Sequence, residues 1–234
     1  MDPRRSVRRS ARAFGLDLSA EAAAKMLEHL ELLAIANEKF NLTTIPRDEW
    51  LCAHVLDSLS CAPEVNDSVP GDFADLGSGG GFPGIPLSIA TGREVVLVES
   101  VKKKAVFLAE VLTEIRIGGR VAPVRAEELA LQEPGVFAVV TARAVSSLPS
   151  LVELAAPLLK PGGRLICLKG DPRAEELQSG ARAGRICGLA EVCCRRVEVP
   201  LTEAIRTIVV YERTGRPQVH LPRRPGTAQK QPLG

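Results

Sequence analysis

The stretch Phe73-Ala74-Asp75-Leu76-Gly77-Ser78-Gly79-Gly80-Gly81-Phe82-Pro83-Gly84 decides how this chain folds. Four residues of strand character run into a turn that holds five glycines, and a helical pattern begins at Ile85. Glycine takes positive φ without steric cost and lets a ligand approach the backbone closely. In open α/β sheets such turns lie at the carboxyl ends of parallel strands, where ligands bind. The next apolar run, Val95-Val96-Leu97-Val98, ends in Glu99. An acid at that strand tip can accept hydrogen bonds from both hydroxyls of a ribose.

Further outward the same alternation continues. Strands are expected at 73–76, 95–98, 121–124, 136–141 and 164–168, with helices between them at 85–90, 102–115, 127–131 and 148–159. Strands alternating with helices predict βαβ units and a mostly parallel sheet covered on both faces. Two later runs, 190–199 and 205–211, lack a good helix between them and are expected to pair antiparallel at the sheet edge. Upstream, 19–40 and 47–61 read as helices. The expected organisation is a basic flexible arm at 1–13, a helical N-terminal segment at 14–70, the ligand-binding domain at 71–213, and a basic, proline-rich extended tail at 214–234.

Two cofactors compete for the glycine turn. Gly79-x-Gly81-x-x-Gly84 matches a dinucleotide fingerprint, with Glu99 20 residues after Gly79. Three features favour S-adenosylmethionine. Asp75 stands two residues before Gly77, where a carboxylate suits a ligand bearing an ammonium and a sulfonium and would repel a pyrophosphate. The glycines begin at Gly77, giving Asp-x-Gly-x-Gly-x-Gly, the usual methyltransferase loop. Pro83 and Pro86 remove N–H donors that a pyrophosphate would need at the helix start. The expected fold is therefore the seven-stranded, Rossmann-like methyltransferase sheet. After the third strand, Arg125-Ala126-Glu127-Glu128 occupies the position that holds the adenine ring. Glu127 either accepts from the adenine amino group or is a plain helix-start carboxylate.

The fourth strand ends Val140-Thr141-Ala142-Arg143-Ala144. The Asn/Asp-Pro-Pro-aromatic motif of enzymes that methylate exocyclic amines is missing there, and no Pro-Cys dipeptide supplies a cytosine-C5 nucleophile. Those absences leave acceptors with a free lone pair, such as a ring nitrogen, for which alignment suffices and no general base is required. Arg143, at the strand tip, is a candidate catalytic residue that touches the substrate or the cofactor carboxylate. The alternative is a structural pairing with Asp75 or Glu99.

Composition narrows the class. The 234 residues are 45% apolar, enough for a buried core. No apolar run reaches transmembrane length and no secretory signal is evident, so a cytoplasmic protein is expected. The six cysteines lack metal spacing and read as reduced thiols, with no metal site. Net charge is +2, but residues 1–13 carry +4 and residues 213–234 carry +5, which leaves −7 between them. Basic arms on an acidic body suggest a nucleic-acid partner or simply solvated tails. Aromatic residues are only 3%, so RNA affinity is expected from phosphate contacts, with Phe82 the ring to suspect of touching cofactor or base.

Taken together, Asn37-x-x-x-Asn41-Leu42-Thr43, His54-x-x-Asp57-Ser58, the glycine loop, Arg143, Lys169-Gly170 and Pro222-Arg223-Arg224-Pro225-Gly226-Thr227 resemble one family. It is the bacterial small-subunit ribosomal RNA guanine-N7 methyltransferases, also called glucose-inhibited division protein B. The resemblance runs from about Asn37 to the C-terminus. It implies N7 methylation of one guanosine in 16S ribosomal RNA, either naked or in an assembling small subunit, by a monomer that uses S-adenosylmethionine. By position it implies that Gly77, Phe82, Ala126, Glu127 and Arg143 line the cofactor site, beside Asp75, Gly79 and Glu99 from the loop argument. A hydrolase reading of His54, Asp57 and Ser58 fails on geometry, because successive helical residues lie about 100° apart. That trio is expected to fix the N-terminal helices against the glycine loop. A nicotinamide oxidoreductase and a non-catalytic RNA-binding protein on the same fold remain the alternatives.

Overall fold

The computed structural model describes residues 2–234. Its chain order is α1 (Pro3–Ala11), α2 (Ala20–Asn37), α3 (a π-helical turn, Leu51–Leu56, running into Asp57–Leu59), α4 (Ala62–Asn66), β1 (Phe73–Leu76), α5 (Gly84–Thr91), β2 (Val95–Val98), α6 (Lys102–Glu114), β3 (Gly119–Ala122) and α7 (Ala126–Gln132). There follow β4 (Phe137–Arg143), α8 (Leu148–Ala155), β5 (Leu159–Lys169), α9 (Ala174–Cys187), β6 (Leu189–Glu198), β7 (Ile205–Arg213) and α10 (Thr227–Lys230). The seven strands form one sheet, as expected, in the order β3-β2-β1-β4-β5-β7-β6. Strands β1 to β5 are mutually parallel, and only β7 runs against its neighbours, between β5 and the edge strand β6. The order reverses between β1 and β4. A cleft must therefore open at their carboxyl ends, between connections that leave toward opposite faces.

Burial explains why the central strands are uniformly apolar. All residues of β1 and β2 are buried, because helices cover both faces. One core cluster joins α1, α2, α5 and α6 to Phe73, Val95 and Leu97, and the second joins α8 and α9 to Ala74, Val96 and Val140 on the opposite face. Helix α9 escaped the sequence reading. Its Gly180 and Gly184, with Glu175, Glu176, Arg182 and Arg185, dilute the apolar stripe, so its 14 residues do not stand out. No described helix is long and apolar enough to cross a membrane.

Both terminal segments differ from expectation. Residues 3–11 are a helix, capped by Asp2, whose side chain accepts from the Arg4 N–H. Val7, Ser10 and Ala11 are buried and Phe14 follows them into the core, while Arg4, Arg5, Arg9 and Arg12 stay exposed. The arm is thus an amphipathic helix anchored at spacings of three and four, a pattern that counting charges conceals. The tail is not extended either. Arg223 pairs with Glu153 of α8, which is only 2% exposed, through contacts of 2.6 and 2.5 Å. Leu221 and Leu233 pack against the second core cluster and Ala228 is buried in it. A buried carboxylate needs a counter-charge, and Arg223 supplies it.

Candidate active site

The glycine loop is built on β1. Gly77 and Ser78 donate to the Val98 carbonyl at 2.8 and 3.2 Å, and Ser78 Oγ donates to the Asp75 carbonyl at 2.9 Å. Gly77, Gly79 and Gly81 all have positive φ. A Cβ at Gly77 would stand 2.8 Å from Val145 Cγ2, whereas at Gly79 the space outside the loop is open. Glu99, at the tip of β2, accepts from the Gly79 N–H at 3.0 Å and the Val101 N–H at 2.8 Å. Each carboxylate oxygen keeps a lone pair for a further donor, as ribose hydroxyls require.

Two cavities meet at Gly77. The smaller, about 90 Å³, lies between the tips of β1, β2 and β4 and the start of α7, with Glu99, Ala126, Glu127 and Val145 in its wall. The second, about 230 Å³, lies over the loop and is lined by Gly79, Phe82, His54, Lys104 and Arg143 among others. An adenosine with a short zwitterionic chain fits this donor set: a carboxylate pair at the nucleoside end, and a guanidinium and an ammonium at the other. A third cavity of about 490 Å³ adjoins the second, and His54, Arg143, Thr43 and Ala144 belong to both walls.

Seven of the eight expected cofactor residues, Gly77, Gly79, Phe82, Glu99, Ala126, Glu127 and Arg143, line these cavities. One requires correction. Asp75 is fully buried and lies beneath the loop, outside both walls. Its Oδ1 accepts from Thr141 Oγ1 at 2.7 Å, and its Oδ2 is unpaired among the described residues. Burial raises its carboxyl to about 6, against the opposing pull of the Thr141 hydroxyl. It braces the loop from below because the strand alternation turns its side chain under α5. Phe82 reaches the cavity only by its margin, being 5% exposed. His29 and His54 stack on it at 4.5 and 4.6 Å between ring centroids, so it is not free to stack on a base.

Arg143 closes β4 as expected, but it pairs with neither Asp75 nor Glu99. Its Nη1 donates to Asp57 Oδ2 at 2.6 Å and to the Ala53 carbonyl at 2.8 Å, and its Nη2 donates to His54 Nδ1 at 3.3 Å. Arg206 donates to the other oxygen of Asp57. His54 Nδ1 must then be unprotonated, and Nε2–H donates to Thr43 Oγ1 at 3.1 Å. Burial, with Arg143 beside it, lowers His54 to about 3. Burial lowers His29 to about 4, while its Nε2–H donates to the Gly80 carbonyl at 2.8 Å. Both imidazoles are neutral at pH 7, and His54 is too weakly basic to take a proton. Ala53, His54 and Asp57 stand at spacings of three and four on α3, so all three meet the Arg143 guanidinium. Among the partners sequence reasoning missed, His29 and Arg206 lie in unremarkable contexts. Only His54-x-x-Asp57 gave a signal, and its role of tying the N-terminal helices to the loop matches this geometry.

The family model for rRNA small subunit methyltransferase G matches residues 22–202. The ribosomal RNA small subunit methyltransferase G of Geobacillus kaustophilus is 38% identical over 225 residues, 94% of each chain, and that of Alkaliphilus metalliredigens is 32% identical over 100% of both. Among solved structures, precorrin-6y C5,15-methyltransferase from Geobacter metallireducens superposes with a TM-score of 0.50 at 12% identity, covering 68% of this chain and 87% of that one; the likeness is one of fold. With a family model covering most of the chain and full-length relatives above 30% identity, this chain belongs to the rRNA small subunit methyltransferase G family.

Proposed function

We propose that this enzyme transfers a methyl group from S-adenosylmethionine to N7 of a guanosine in 16S ribosomal RNA, in the cytoplasm. The observation that carries the reading is Arg143 in the wall shared by the loop cavity and the larger cavity beside it. When bound, S-adenosylmethionine supplies a methyl group on a positively charged sulfur, ready for direct displacement. The chain's own residues then hold the two partners in line. Glu99 and the glycine loop orient the nucleoside end. Arg143, fixed by Asp57 and Ala53, presents its remaining donor surface to the larger cavity, where an acceptor such as guanine O6 or a phosphate can meet it. N7 of guanine carries no proton, so the absence of a competent base in these walls is no obstacle. His54 is held neutral with its Nδ1 already engaged, and Asp57 is buried under two arginines.

The test is to incubate the protein with methyl-labelled cofactor and either naked 16S RNA or small subunits, digest the RNA, and identify the labelled nucleoside. The expected product is 7-methylguanosine. Label in any other nucleoside overturns the acceptor assignment, and no label in either substrate overturns the reading as a whole.

A further inference from the structure

The chain after β7 reaches back to the cofactor side of the sheet. Arg223 grips buried Glu153, Ser150 Oγ donates to the Ala228 carbonyl at 2.8 Å, and the Leu233 N–H donates to Glu153 Oε2 at 3.2 Å. These anchors hold α10 against α8. Between them the Gly226 N–H donates to Glu127 Oε1 at 2.7 Å. The same carboxylate lines the small cavity, and Gln229 stands in that wall too, with Gly77, Glu99 and Ala126. Gln229 is exposed, and its amide makes no hydrogen bond among the described residues.

We propose that residues 223–233 are a wall of the cofactor site and that the Gln229 side-chain amide reads the adenine edge. The proposal rests on the cofactor reading above. A primary amide presents a donor beside an acceptor, and adenine presents its N6 amino donor beside the N1 or N7 acceptor, so the two edges are complementary. The Gly226 contact fixes the Glu127 carboxylate, whose remaining capacity is for donors only, which also suits an amino-purine. Arg223 and the other anchors then serve the cofactor: they order a segment whose own sequence is too polar and proline-rich to fold alone.

The test is calorimetric titration of the full chain with S-adenosylhomocysteine, for the unsubstituted protein, Gln229→Ala and Gln229→Glu. Gln229→Glu keeps the size and removes the donor. Both variants are expected to weaken binding by about tenfold, the loss of one or two hydrogen bonds. Melting temperatures without ligand should stay unchanged, since the side chain is exposed. Arg223→Gln should weaken binding and also lower the melting temperature, by freeing the wall. Unchanged affinity in both Gln229 variants overturns the assignment. Full affinity in Gln229→Glu with a loss in Gln229→Ala reduces the residue to packing and also overturns it. If the unsubstituted chain does not bind S-adenosylhomocysteine, the cofactor reading itself falls.

Discussion

The guanidinium of Arg143 stands 2.6 Å from the carboxylate of Asp57, joining the tip of β4 to α3. Arg143 is 17% exposed at its side chain and Asp57 is 1% exposed, so one end of the pair faces the cavities and the other is sealed. The pair therefore has a structural end and a chemical end, and variants can separate them.

Arg143→Ala is expected to lower the methyl-transfer rate on the order of 100-fold, the scale of one preorganised donor at a reacting centre. It also removes one of two counter-charges from buried Asp57. With Arg206 still in place, the stability cost should be about 2 kcal/mol, below that of an orphaned buried charge. Single-turnover rates and urea midpoints measure the two effects. An active but unstable variant would make Arg143 a structural partner only.

Gly79→Val should abolish the rise in melting temperature that S-adenosylhomocysteine gives the unsubstituted protein, because the side chain enters the open space outside the loop. The fold should lose about 1–2 kcal/mol from the positive φ alone. Gly77→Ala is expected to be worse for the fold, since its Cβ meets Val145 within 2.8 Å as well. Thermal shifts with S-adenosylhomocysteine and with NAD check both. A shift with NAD and none with S-adenosylhomocysteine would contradict the cofactor reading.

Acid should destabilise the protein before its ordinary carboxylates titrate. His29 and His54 sit at about 4 and about 3 in the folded chain against 6.5 when unfolded. Their stabilisation is present above pH 6.5 and is lost as pH falls through that window, because the unfolded state takes the protons first. Asp75 works the other way. Raised from 3.8 to about 6, it favours the folded chain below 3.8 and loses that contribution as pH rises through about 6. Near pH 5 the unfolded chain holds two of these protons and the folded chain one, so these three groups together make stability fall by about 1.4 kcal/mol per pH unit on acidification. Urea melts between pH 7 and 5 measure the slope, and His29→Phe should flatten it. A pH-independent midpoint would refute the account.

The two basic segments should behave differently. Arg4, Arg5 and Arg9 are exposed on α1, whereas Arg223 is engaged with Glu153. Replacing the three α1 arginines by glutamine should weaken RNA binding and lower its salt slope by about 2–3, leaving cofactor affinity unchanged. Removing residues 217–234 should instead impair cofactor binding and stability first. RNA affinity at several salt concentrations, beside calorimetry with S-adenosylhomocysteine, separates these outcomes. Full RNA affinity in the triple variant would mean that the α1 arginines are solvated.

The glycine turn, the acid at Glu99 and the strand–helix alternation were legible in the sequence because each is a local requirement: positive φ, a strand-tip carboxylate, a period of two against a period of 3.6. Those signals determined the seven-stranded fold and the position of the cleft, and they pointed to Gly77, Gly79 and Glu99, which stand in its walls. Tertiary structure alone decided which charges are free. Asp57 and Arg143, Glu153 and Arg223, and Glu127 and Gly226 lie 70 to 99 residues apart, and nothing in their neighbours marks them as partners. The same distance hid the sealing of Asp75 beneath the loop and of Phe82 between two histidines. Burial is a property of what packs over a residue: His29 of α2 and His54 of α3 cover Phe82, while Asp75 lies under α5 against Thr141 of β4. The basic termini show the same division: their charge was plain from composition, but whether an arginine faces solvent or a buried carboxylate depends on helices folded elsewhere in the chain.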